Sequence, residues 1–90
     1  MKEKKVLIEK GYKEYTPSVF QNCDTYFQKV IRDGLFIGVS FYKFSEPLPP
    51  KNYHIEIEVY REFKGMAINS KIYAFDDFNK ALKVAEAMVK

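Results

Sequence analysis

A chain of 90 residues with 47% hydrophobic and 30% charged side chains, four Gly and four Pro reads as one globular domain over 1–90 and excludes a disordered or fibrous protein. At this length folding buries roughly 60–65% of the surface exposed by the unfolded chain, enough for one core and for independent folding. The formal charge of +3 at pH 7 is spread along the sequence, which excludes a nucleic-acid-binding tail; the lone Cys23 excludes an intramolecular disulfide and an all-cysteine metal site.

The basic opening Met1–Lys5 is followed by an apolar run of only Val6-Leu7-Ile8. That run is far short of a signal-peptide core or the ~20 residues of a membrane span, so no membrane partner is expected, while the lone cysteine suits a reducing compartment, the cytoplasm by expectation. Lys5–Glu9 reads as a short strand at a sheet edge, ended by Gly11-Tyr12. Residues 25–31 read as a strand with Phe27 and Ile31 facing in and Lys29 as the awkward inward position. Helical spacing of Phe20, Cys23, Phe27 and Val30 or Ile31 offers the alternative of a helix over 18–32. The strand is preferred because Arg32-Asp33-Gly34 suits a three-residue hairpin loop, Gly34 left-handed after a type I turn, pairing Ile31 with Leu35. Leu35–Phe44 is the returning strand, with Leu35, Ile37, Val39 and Phe41 on one face.

Three prolines in Ser45–Asn52 forbid helix or central strand and make it a loop. Beyond it Ile55, Ile57 and Val59 alternate with Glu56, Glu58 and Tyr60, and Ile68, Ile72 and Ala74 alternate with Asn69, Lys71 and Tyr73. A two-residue turn at Lys64-Gly65 sets Ile57 opposite Ile72 and Glu58 opposite Lys71, so both faces match in one register. Phe78, Ala81, Leu82, Ala85, Met88 and Val89 repeat at helical spacing, with Asp76 or Asp77 as cap. The expected fold is α+β: an antiparallel meander of four to five strands with one C-terminal helix packed on one face.

Residues for chemistry are few. His54 has only Glu56 and Glu58 nearby, on its own face of a strand, and general acid–base work needs a partner and a pocket. One His and one Cys thirty-one positions apart match no metal pattern, and the four glycines form no phosphate loop, so neither cofactor nor metal is expected. Cys23 reads as a small buried hydrophobe rather than a reactive thiol. Pro47-x-x-Pro50 with Lys51 resembles a polyproline ligand, but a stiff connection between hairpins accounts for it. The chain therefore reads as a binding protein rather than an enzyme, unless a homo-oligomer builds a site from His54 and the glutamates.

Aromatic residues make up 17% of the chain, seven Tyr and eight Phe. The registers above place Tyr26, Phe36, Tyr42, Phe44, Tyr60 and Tyr73 on the outer sheet face with Glu56, Glu58, Glu62 and Lys71. So many rings point either to a contact surface for another protein or to rings that cover sheet edges or, in other registers, belong in the core. Single-stranded nucleic acid is the alternative partner, with bases stacked on the rings and Lys29, Arg32, Lys43 and Lys51 tracking phosphates; the glutamates oppose it.

Tyr12-Lys13-Glu14-Tyr15, Cys23-Asp24 and Phe27-Gln28-Lys29-Val30-Ile31-Arg32-Asp33 resemble small uncharacterised proteins encoded by bacteriophages and prophages. The resemblance covers the first half of the chain and carries no catalytic motif. It implies a mobile-element origin and action in a host cytoplasm, where compact sheet-plus-helix proteins bind and block a host machine, as anti-CRISPR proteins do. The partner so implied is a host protein, with self-association as a homo-oligomer the other possibility for the same surface.

Overall fold

The alternation of apolar and polar residues over most of the chain builds one antiparallel sheet, seen here in a computed structural model that describes residues 2–18, 23–42, 55–74 and 77–90. In chain order the elements are α1 (Lys2–Glu9), β1 (Lys13–Tyr15), β2 (Thr25–Arg32), β3 (Leu35–Phe41), β4 (Ile55–Phe63), β5 (Met66–Ala74) and α2 (Phe78–Met88). The five strands lie in sequence order β1-β2-β3-β4-β5, a meander. The expected α+β class with a C-terminal helix is what the structure shows.

The inward residues are those the alternation selects. Phe27, Ile37, Val39, Ile57 and Val59 are at most 1% exposed, joined by Leu35, Phe41 and Ala74. Leu7 of α1 and Ala81, Leu82 and Ala85 of α2 complete this core from the same side. Phe27 and Phe41 meet edge to face at 5.8 Å, the geometry that ring quadrupoles favour. The β4–β5 register is the expected one, with Ile57 opposite Ile72 and Glu58 opposite Lys71. Its turn has positive φ at both Lys64 and Gly65, the type I′ geometry whose twist suits a two-residue hairpin. Asp77 caps α2 by accepting a hydrogen bond from the Lys80 N–H at 3.0 Å.

Four expectations are corrected or completed. Residues 25–32 are strand, so the helical alternative fails there: pairing to β3 satisfies their backbone, and Phe27 still reaches the core. The hairpin closes on Arg32 opposite Leu35, not Ile31 opposite Leu35, and the register shifts between Val30 and Arg32. Ile31 is the extra residue of that irregularity, and it stays packed against the core while the turn shortens. Gly34 is left-handed as expected, at φ 77°. Lys29 tolerates its inward position because its ammonium lies 5.6 Å from the centre of the Tyr12 ring, a cation–π contact.

The N-terminal strand over Lys5–Glu9 is instead the helix α1, which adds a second helix to the fold. Its end explains why. Tyr12 N–H donates to Leu7 C=O and Gly11 N–H to Ile8 C=O, with Gly11 at φ 93°. This is a Schellman motif, whose hydrophobic clasp is buried Leu7 against buried Tyr12. Gly11-Tyr12 is thus a helix stop rather than a strand stop, and the chain leaves it directly into β1. Pro47–Pro50, His54, Phe44 and Asp76 lie outside the described residues, as does the part of the 18–32 reading that falls on 19–22.

A candidate protein-binding face

Pairing across the strands assembles the outer face in three rows. The first runs Tyr15, Tyr26, Ser40, Glu56, Tyr73; the second Lys13, Gln28, Gly38, Glu58, Lys71; the third Val30, Phe36, Tyr60, Asn69. Both helices bring their buried residues to the opposite side, so among the described elements no helix packs on this one. The expected Tyr26, Phe36, Tyr60, Tyr73, Glu56 and Glu58 are brought together here. Tyr42 follows β3 directly and is half-buried; Phe44 is outside the described residues. Tyr15 and Val30, 44% and 60% exposed, were missed, because three-residue β1 gives no periodicity and the β2 reading followed only its inward positions.

The rings do not stand free. Phe36 and Tyr60, directly opposite on β3 and β4, stack with centroids 4.6 Å apart at 19°. Tyr26 lies over Gly38: a Cβ built at Gly38 would come 2.4 Å from the Tyr26 hydroxyl oxygen and 3.0 Å from a ring carbon. The glycine is therefore required by the ring that covers it. Gln28 Nε2 donates to that hydroxyl at 3.3 Å. Part of the ring surplus thus covers the sheet itself, while Tyr15, Tyr73 and Val30 remain substantially exposed.

The face carries two carboxylates on β4, Glu56 and Glu58, and an ammonium on each edge strand, Lys13 and Lys71. Glu56 pairs with Lys71 at 3.6 Å. Burial pushes the Glu58 carboxyl above the usual glutamate range; Lys71 opposes this and Glu56 adds to it. Burial likewise raises the Tyr26 phenol, against the Gln28 hydrogen bond, with Glu58 contributing in the same direction as burial. At one end of the face Cys23 is half-buried. Burial raises its thiol pKa, a hydrogen bond with Ser40 lowers it, and Asp24 and Glu56 add to the rise. Such a thiol is a poor nucleophile at neutral pH.

Two of the four cations expected to track phosphates lie elsewhere. Lys29 is over Tyr12, and Arg32 stands in the row of Leu35 and Arg61, on the core side. Lys43 and Lys51 are outside the described residues. Among the described residues no group of three or more His, Cys, Asp or Glu gathers to hold a metal ion, and no helix is long and apolar enough to cross a membrane. No family model, curated protein or solved structure matches this chain.

Proposed function

We propose that the chain is a small protein-binding module whose contact surface is the outer face of the sheet, around Tyr26, Phe36, Tyr60 and Tyr73. The observation that carries this reading is the anchored state of the rings. The Phe36–Tyr60 stack and the Tyr26–Gly38 contact hold large apolar surfaces in place before any partner arrives, so little side-chain entropy is lost on binding. Glu56 and Glu58 at the centre fit a partner that presents basic and aromatic groups. They disfavour nucleic acid, whose phosphates would meet carboxylates where cations are needed. The likeness of residues 12–33 to phage and prophage proteins adds the proposal that the partner is a host protein whose activity the module blocks, in the manner of anti-CRISPR proteins. No cofactor enters this reading, and the chain acts by occupancy rather than catalysis.

The test is capture of interacting proteins from the native cell with wild type, Tyr73→Ala, Tyr60→Ala and, as control on the exposed side of α2, Val84→Ala. Loss of the same species from both tyrosine variants, with the control unaffected, supports the reading. Identical captures from all four exclude this face.

A further inference from the structure

We propose that β5 is a self-association edge, through which two copies pair antiparallel about Ser70 to form one continuous ten-stranded sheet. The two edges of the sheet are built differently. β1 spans Lys13–Tyr15, three residues bearing two charges, the kind of short, charged strand that discourages pairing. β5 spans nine residues, Met66–Ala74, with no proline, no register shift against β4 and Lys71 as its one charge. Long, regular, mostly uncharged edges are templates for another strand.

The hydrogen-bonding side of β5 follows from the hairpin. The two-residue turn makes Phe63 and Met66 the closing bonded pair, and bonded pairs then alternate along the ladder. Glu62 N–H donates to Gly34 C=O at 2.7 Å, on the β3 side, as this alternation requires. Met66, Ile68, Ser70, Ile72 and Ala74 therefore direct their backbone groups to β4. Ala67, Asn69 and Lys71 direct theirs away from the sheet, where no other described strand lies.

Ser70 is the midpoint of the strand, and a two-fold axis there overlaps two copies over its whole length. Asn69 then bonds to the partner's Lys71, and Lys71 to the partner's Asn69, so every outward N–H and C=O in the centre is satisfied. No two like charges stand directly opposite: Lys71 faces an amide, and the two lysines are only diagonal neighbours across the axis. On the core side Ile68, 54% exposed, comes opposite the partner's Ile72, and Met66, 67% exposed, opposite the partner's Ala74. Ile68 and Met66 are exposed in the single copy because the β4–β5 hairpin outruns β3, which begins level with Arg61. Hydrogen-bonding register, charge and exposed apolar side chains thus favour the same occupant, a second copy of this chain.

The test combines sedimentation over a concentration series with amide exchange. Wild type is expected to dimerise reversibly, with the amides of Ala67, Asn69 and Lys71 gaining protection as dimer forms. Asn69→Glu places a carboxylate beside each partner lysine and should tighten the dimer, whereas Asn69→Lys places lysine beside lysine and should loosen it. Each change is expected to be roughly two- to thirtyfold across the two symmetric pairs, shrinking with salt. Asn69→Pro removes an outward N–H and should give a monomer with unchanged circular dichroism. Phe36→Ala, two strands from the edge on the outer face, should leave the dimer intact. A wild type monomeric at the highest concentration, unprotected amides in a dimer, charge variants that shift together, or a dimer dissolved by Phe36→Ala would each overturn the proposal.

Discussion

Gly38→Ala is the sharpest probe of whether the outer rings are anchored. Gly38 sits in the middle of the central strand with no positive φ, so backbone preference alone favours alanine by about 0.5–1 kcal/mol. Against this, the new Cβ would lie 2.4 Å from the Tyr26 hydroxyl oxygen and 3.0 Å from the ring, and the ring must swing away. A tyrosine side chain covers about 150–250 Å², and losing half of that contact costs about 2.5 kcal/mol at ~25 cal/mol per Å². The net expectation is destabilisation by about 1.5–2 kcal/mol. In a Tyr26→Ala background the obstacle is gone, and the same substitution should stabilise by about 0.5–1 kcal/mol. Urea unfolding followed by circular dichroism on the four proteins of this cycle measures both values. An effect of the same sign and size in the two backgrounds would refute the anchoring argument.

The other expectations concern single groups. Because burial raises the Glu58 carboxyl above 4.5, the folded chain holds that proton more tightly than the unfolded one. Its contribution is full below 4.5 and is lost as pH rises through the raised value, so Glu58→Gln should increase stability at pH 7 and flatten that acid-side slope in unfolding curves. The Tyr12 hydroxyl is buried without a hydrogen-bond partner among the described residues, and burial, with Glu86 adding to it, pushes its pKa up. Tyr12→Phe should therefore be neutral or stabilising by up to about 1 kcal/mol, and a loss of 2 kcal/mol or more would show a missed role for the oxygen. Cys23 should react with a thiol reagent far more slowly folded than in urea at neutral pH; equal rates would contradict its burial. Asp77→Ala should cost about 1 kcal/mol in thermal unfolding through loss of the α2 cap.

Much of the sheet was legible from the chain because side-chain periodicity and turn chemistry agreed. In β4 and β5 the Lys64-Gly65 turn, the Ile57–Ile72 pair and the Glu58–Lys71 pair all demanded one register. The inward set of β3 followed from alternation alone. The N-terminus was misread because Val6-Leu7-Ile8 is too short for periodicity to choose between strand and helix. What decides it is the helix stop that follows, Leu7 clasped by Tyr12 around Gly11, and Gly11-Tyr12 reads equally well as the end of a strand. β1 was missed because three residues held only by pairing to β2 carry no local signal. At the candidate face parity put Tyr26, Phe36, Tyr60 and Tyr73 on the outer side, where the strand pairing has them, but their mutual contacts were not legible. That Gly38 lies beneath Tyr26 is a diagonal relation between strands, visible only once the β2–β3 register is known.

Binding of another protein by the outer face is open to direct measurement. Quantitative capture from the native cell compares wild type, Tyr60→Ala and Val84→Ala, the three matched by circular dichroism and by dimer content. A specific protein should be retained by wild type and by Val84→Ala and lost with Tyr60→Ala. A partner retained equally by all three would contradict it.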